Sequence, residues 1–249
     1  MMEEQYSCLA ECYDLLSSAD YRGYSSFIAE LFRENGIPDG ALVLDLACGT
    51  GGITLPLSEM GYDMIGVDLS PEMLDIARKK DRDGKVLWLN QDICDFELYG
   101  TVGGIVCCLD SINYLLRTDD IKKCFSLAAN YLDPNGLLIF DINSPYKFRN
   151  IYGDRHYILE QGNTFLGWRN HFNEKSKLCD FYLTIFSRQR GVITRRDEIQ
   201  TERMWAPATV RRLIRESGLS LIGEYGGFDR SPVSDTTERI FFVCRKEIK

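Results

Sequence analysis

Leu44-Asp-Leu-Ala-Cys-Gly-Thr-Gly-Gly52, followed at 66–70 by Gly-Val-Asp-Leu-Ser, is the stretch on which the fold of this chain turns. The apolar run from Ala41 to Ala47 reads as a buried strand. It breaks into a turn carrying Gly49, Gly51 and Gly52, and a second apolar run then ends at Asp68. Glycines at such a turn let the backbone approach a ligand and adopt angles that a side chain forbids. An acid at the tip of the next parallel strand can accept hydrogen bonds from both hydroxyls of a ribose. The stretch therefore predicts one half of a nucleotide-type binding fold.

Working outward, residues 5–35 read as two helices broken at Ser17-Ser-Ala-Asp20, with Tyr13, Leu16, Tyr21, Tyr24, Phe27, Ile28, Leu31 and Phe32 on their apolar face. Ser70-Pro71-Glu72 is a helix start: a serine cap, proline at the first position and an acid in the first turn. That helix runs to Lys80 and ends in Arg78, Lys79 and Lys80, as its dipole favours. Strands are predicted at 86–90, 104–109 and 137–141, with a helix at 118–131 and a turn at Asp133-Pro-Asn-Gly136. Short buried strands alternating with amphipathic helices specify a mostly parallel, doubly wound α/β sheet. Asp68, Asp92 and Asp110 then fall on its carboxyl edge, where such sheets bind ligands. From 155 to 205 the period changes to two, in runs such as Phe181-Leu183-Ile185 and Ile193 onward. This predicts an inserted antiparallel β subdomain at 150–205, a lid or a dimer contact, within a main domain of 1–149 and 206–249. A helix at 207–217 and strands at 219–225 and 238–245 complete the α/β rhythm.

The net charge of −8 argues against a protein whose affinity rests on neutralising phosphates. Arg188, Arg190, Arg195, Arg196, Arg211, Arg212 and Arg215 read as solvated hairpin and helix faces. Nine cysteines, none in C-x-x-C spacing, with only His156 and His171 beside them, argue against a zinc site. They fit free thiols in a reducing cytoplasm, and no long apolar stretch predicts a membrane span. Cys107 and Cys108 are expected to face the sheet core.

Which nucleotide binds depends on the helix after the turn. A dinucleotide fingerprint requires a third glycine where this chain has Thr54, and a Walker loop requires the absent Gly-Lys-Ser/Thr. The stretch resembles motif I of the class I S-adenosylmethionine-dependent methyltransferases, with Asp45 in the strand before Gly49 and Gly51. The resemblance extends over residues 40–141 and, more loosely, the closing helix and strands. It implies a seven-stranded Rossmann-like sheet with S-adenosylmethionine as cofactor. Ala47, Cys48, Gly49 and Gly51 would pack against the methionine part, and Asp45 would orient that loop or meet the amino group through water. Asp68 would take the ribose hydroxyls, Leu69 and Met73 would border the adenine, and Asp92 and Ile93 would bind its edge. Leu109 and Asp110 would lie beneath the sulfonium.

More narrowly, the chain resembles small bacterial methyltransferases with an N-terminal Tyr-Asp motif, here Tyr13-Asp14, and a second tyrosine, Tyr21, both closing over the cofactor. Methyl transfer from a sulfonium is an in-line displacement, so no metal is implied and no catalytic residue can be read from motif I. Asp110, Asn113, Tyr114 and Asp141 are the candidates near the methyl. Trp168, His171, Trp205 and Phe228 could cage a flat or cationic acceptor, although such residues more often form the apolar face of a small sheet. The expectation is a cytoplasmic methyltransferase, monomer or homodimer, acting on a small molecule. A non-catalytic cofactor-binding scaffold or sensor, a tRNA- or nucleic-acid-directed enzyme, and an NAD-dependent oxidoreductase are the alternatives.

Overall fold

The computed structural model describes Ala10, Tyr13, Asp14 and residues 19–246. Leu16, Cys8 and Cys12 lie outside the described residues, as does most of the first predicted helix; Tyr13 and Asp14 are helical. Helix α1 (Tyr21–Glu34) starts at Asp20, whose carboxylate accepts the Gly23 N–H, and buries Phe27, Ile28, Leu31 and Phe32. The main sheet is built from β1 (Leu42–Leu46), β2 (Asp63–Asp68), β3 (Leu87–Asn90), β4 (Val102–Cys107), β5 (Leu132–Asn143), β10 (Leu219–Tyr225) and β11 (Arg239–Lys246). Its order is β10-β11-β5-β4-β1-β2-β3. β1 to β5 run parallel, while β11 is antiparallel to β5 and β10. The strand order reverses between β1 and β4, which makes that crevice the expected binding position in an open α/β sheet.

Both faces of this sheet are covered, so its central strands carry apolar side chains on both sides. One face packs Leu44, Leu46, Ile105 and Phe140 against α4 (Thr118–Tyr131) and α5 (Pro207–Glu216). The other packs Val43, Met64, Val106 and Phe241 against α1, with α2 (Thr54–Glu59) and α3 (Pro71–Lys80) alongside. In α3 the Ser70 hydroxyl accepts the Met73 N–H at 3.2 Å, and the helix spans its predicted residues.

A second sheet holds β6 (His156–Gln161), β7 (Thr164–Asn173), β8 (Leu178–Gln189) and β9 (Val192–Arg203), all antiparallel in that order. It is joined to β5 through a helical turn at Lys147–Tyr152. Its inner face packs Leu166, Phe181, Leu183 and Ile185 on Phe148 and Tyr152, with Tyr13 against the same cluster.

Three expectations need correction. β4 stops at Cys107, because Leu109 and Asp110 both turn left-handed (φ 59° each). The Asp133–Gly136 turn lies inside β5 as a bulge: pairing with β4 passes from Leu132 to Leu137 while its partner moves only from Val102 to Gly104. The apolar phase read from Ile193 onward faces solvent. Register pairs Tyr182 with Ile199 and Phe181 with Gln200, so Ile199 is 59% exposed and Gln200 is 4% exposed.

Candidate active site

A cavity of about 320 Å³ opens at the carboxyl edge of β1, β2 and β4. Its floor is the glycine turn. Ala47 and Gly49 take positive φ (56° and 54°), and both line the cavity with Cys48. Gly51 does not line it. Its own φ is 78°, and a Cβ there would lie 2.8 Å from the Trp88 ring, so glycine is required for packing beneath the turn.

Asp68, at the end of β2, ties the turn to the next helix. Its Oδ2 accepts the Gly49 N–H at 2.7 Å and its Oδ1 accepts the Ser70 N–H at 2.8 Å. Each oxygen keeps a further lone pair, so the carboxylate can accept from a diol as well. Burial pushes its ionisation upward against those two amide bonds. Asp45 lies beneath, fully enclosed, and its Oδ2 accepts from Thr54 Oγ1 at 2.6 Å. Burial, with the charge of Asp68 adding to it, raises the Asp45 carboxyl to about 7. Thr54, which in the sequence only excluded a dinucleotide fingerprint, is thus the partner of this acid.

The opposite wall holds Leu69, Met73, Asp92 and Ile93. Asp92 Oδ1 accepts the Cys94 N–H at 2.8 Å, which fixes its loop. Asn90 donates to the Asp68 and Leu69 carbonyls at 3.0 and 2.8 Å and holds the two strand ends together. Tyr13, Tyr21 and Leu109 border the cavity on its remaining side. Asp14 accepts from Thr50 Oγ1 at 2.7 Å and pairs with Lys80 at 2.5 Å, so the segment carrying Tyr13 is fastened to the glycine turn. Burial first, then the neighbouring Tyr21 and Asp110, raise the Tyr13 phenol far above its usual range and keep it neutral. Every cofactor-side candidate except Gly51 therefore meets at one cavity.

The catalytic candidates do not share one role. Tyr114 lines the cavity, and its hydroxyl donates to Gln200 Oε1 at 3.0 Å. Asn113 is fully buried away from it, donating to the Arg203 carbonyl and accepting the Asn143 N–H, both at 2.9 Å. Asp110 pairs with Arg239 at 2.7 Å, and the enclosed Asp141 is bonded by the same guanidinium. Of the residues that could cage an acceptor, Trp168, His171, Trp205 and Phe228, none lines the cavity. Trp205 donates to the Leu115 carbonyl, Phe228 packs on Tyr24 and Phe27, and His171 faces outward against Asp154. Cys107 lies in the core as expected, whereas Cys108 borders the cavity; burial raises both thiols well above their usual range, which disfavours a thiolate nucleophile. Among the described residues no cluster could hold a metal ion, and no helix is long and apolar enough to cross a membrane.

Sequence reasoning missed Ser111 and Leu115, which line the cavity. It also missed edge strand β9, which turns Glu198, Gln200 and Glu202 inward at 8, 4 and 2% exposure and meets the cavity-lining Tyr114 through Gln200. Gln200 donates to Glu198 at 2.7 Å, and Glu202 accepts from Asn143 at 3.0 Å. Arg239 and Lys147 were also missed: Arg239 is defined by carboxylates on distant strands, and Lys147 donates to Asn143 Oδ1 at 3.0 Å.

The methyltransferase domain family matches residues 43–136 of this chain. A putative methyltransferase YqeM of Bacillus subtilis (strain 168) is 29% identical over 97% of both chains. The dTDP-3-amino-3,4,6-trideoxy-alpha-D-glucopyranose N,N-dimethyltransferase of Streptomyces venezuelae is 32% identical over 58% of this chain and 60% of its own. The crystal structure of a S-adenosylmethionine-dependent methyltransferase from Clostridium acetobutylicum ATCC 824 superposes with a TM-score of 0.88 at 33% identity, covering 98% of this chain and 99% of that one. With the glycine turn, the acid at the end of β2 and the sheet order all in place, the chain belongs to the S-adenosylmethionine-dependent methyltransferases, and S-adenosylmethionine is its cofactor.

Proposed function

We propose that this enzyme methylates the nitrogen of a small aliphatic amine, held between the carboxyl edge of the main sheet and a lid formed by residues 150–205. The observation that carries the reading is the polarity of β9. The buried face of a sheet strand ordinarily carries apolar residues, yet here Glu198, Gln200 and Glu202 face in behind Tyr114, which does line the cavity and donates its hydroxyl proton to Gln200. With that proton committed to Gln200, the Tyr114 oxygen can accept in turn, which suits an acceptor bearing N–H donors. Support also comes from the Streptomyces venezuelae relative, whose name describes an amino-sugar N,N-dimethyltransferase. The net charge of −8 favours a small acceptor over a nucleic acid.

In this reading Asp68 holds the ribose hydroxyls, Asp92 and Ile93 hold the adenine edge, and Leu69 and Met73 pack on its face. Asp45 and the turn from Ala47 to Gly49 hold the amino-acid end, and Tyr13 and Tyr21 exclude water from above. S-adenosylmethionine supplies a methyl carbon already activated by its sulfonium. The work left to the chain is alignment, which by itself can account for about 7–11 kcal/mol of a barrier. Tyr114, Ser111 and Leu115 orient the incoming nitrogen, which attacks as the neutral amine through its lone pair, so no side chain has to abstract a proton during displacement. The unpaired thiols of the seven described cysteines support a reducing cytoplasm as its place of work.

The test combines calorimetry with S-adenosylhomocysteine and a product-release assay over matched panels of small amines, alcohols, carboxylates and tRNA. The expected result is binding by the wild type, its loss in Asp68→Ala, and turnover with amines alone. Turnover confined to hydroxyl acceptors or tRNA would overturn the amine assignment.

A further inference from the structure

The wall of the cavity between β4 and the Ser111–Tyr114 turn contains two consecutive left-handed residues, Leu109 and Asp110, neither of them glycine. L side chains avoid this conformation, and where it persists the surroundings must over-determine it. One carboxylate does so here. Asp141, on β5, accepts the Leu109 N–H on Oδ2 at 2.8 Å and the Asp110 N–H on Oδ1 at 2.9 Å. Arg239, at the start of β11, bonds the same Asp141 Oδ1 through Nη1 and Asp110 Oδ1 through Nη2 at 2.7 Å. Three adjacent strands thus meet at one turn, and Ser111 Oγ closes it by donating to the Cys108 carbonyl at 2.8 Å.

A buried ion pair of this kind is a poor source of net stability, because desolvating both charges offsets their attraction. What the clamp fixes is the shape of the wall: Cys108, Leu109 and Ser111 all border the cavity, whereas Asp141 and Arg239 do not. With three donors on a fully enclosed carboxylate, Asp141 is not placed to take a proton from an acceptor.

We propose that Asp141 and Arg239 are positioning residues for the methyl-donor cavity, holding the Leu109–Asp110 turn in its left-handed form and so setting the wall against which cofactor and acceptor align. The inference rests on the reading of the cavity as the S-adenosylmethionine site. Asp141→Asn keeps one oxygen and turns an amide N–H₂ toward one of the two backbone donors, leaving that donor unsatisfied. Arg239→Lys keeps the charge but cannot bridge both carboxylates in fork geometry.

Hydrogen exchange by mass spectrometry on peptides covering 107–112, with S-adenosylhomocysteine calorimetry on the same samples, tests the clamp. In Asp141→Asn, exchange at 109–110 is expected to rise at least about tenfold and S-adenosylhomocysteine affinity to fall about tenfold, with β1 and β2 peptides as protected as in the wild type. Arg239→Lys should fall between the two, and it serves alone if Asp141→Asn does not fold. Wild-type protection at 109–110 in a folded variant, or wild-type affinity despite faster exchange there, would overturn the proposal. Acceleration spread evenly over all peptides would overturn it as well, since that marks a structural residue. Failure of the wild type to bind S-adenosylhomocysteine counts against the cavity reading, and the exchange data still judge the clamp.

Discussion

Replacing Asp45 with asparagine should stabilise this protein at alkaline pH while weakening its grip on the cofactor. Asp45 is fully enclosed beneath the glycine turn, and burial raises its carboxyl from 3.8 to about 7, with Asp68 adding to the rise and the Thr54 hydroxyl opposing it. Between those two values the folded chain holds a proton that the unfolded chain has lost. Stability therefore falls as pH rises from 3.8 toward 7, and the full loss is present above that window. The gap corresponds to roughly 4 kcal/mol. Asparagine keeps an oxygen for the Thr54 hydroxyl and carries no charge, so Asp45→Asn should match the wild type within about 1 kcal/mol near pH 4 and exceed it by up to about 4 kcal/mol at pH 8. Equilibrium urea unfolding of the ligand-free protein at pH 4.5, 6 and 8 under reducing conditions measures the difference. Calorimetry in buffers of different ionisation enthalpy should also show the wild type releasing a proton on binding S-adenosylmethionine, as the docked amino group draws Asp45 into its charged form. The variant should release none and bind more weakly. Parallel stability profiles for the two proteins across that pH range would refute the reasoning, because Asp45 would then not be the group carrying the shift. A carboxylate retained at such a cost points to function at this position, the trade-off expected where a binding site opposes stability.

Asp14→Asn removes the partly exposed Lys80 pair and weakens the contact to Thr50, whose hydroxyl can still donate to the asparagine oxygen, so stability should change by less than about 1 kcal/mol. The dissociation rate of S-adenosylhomocysteine in stopped flow should nevertheless rise several-fold, because Tyr13 is next to it on the cavity; an unchanged rate would show that this segment does not cover the ligand. Gly104→Ala would place a Cβ 2.5 Å from the ring of Phe32, which is fully buried, and should destabilise the chain by roughly 1–3 kcal/mol in denaturant unfolding. Gly104 is remote from the cavity, so the folded variant should keep wild-type affinity; a matching loss of affinity would mean that the strain reaches the site.

Much of the main sheet was legible because its signals are local. The cap at Ser70, the proline after it and the basic last turn define α3 within a dozen residues, and α4 likewise falls on its predicted span. The glycine turn, Asp68 and Asp92 were legible for the same reason: strand, turn and acid follow one another along the chain, and the sheet's handedness brings the strand ends together. β9 was not legible. Both of its faces carry charged and polar residues, and Ile193 and Ile199 mark the wrong side; the pairing of Phe181 with Gln200 decides which polar set is buried.

The sequence by itself determined the α/β layering, the crevice at the carboxyl edge of the sheet and the acids that face it, since each is written in spacing over fewer than about 30 residues, the reach of a βαβ unit. The tertiary structure alone decided what braces the walls of that crevice. Asp141 reaches Leu109 from another strand, Arg239 reaches Asp110 from the last one, and Gln200 meets Tyr114 from a separate sheet. Hydrogen bonds and ion pairs act through space. A partner more than a hundred residues away, as Arg239 is from Asp110, leaves no pattern at either position until the chain has folded.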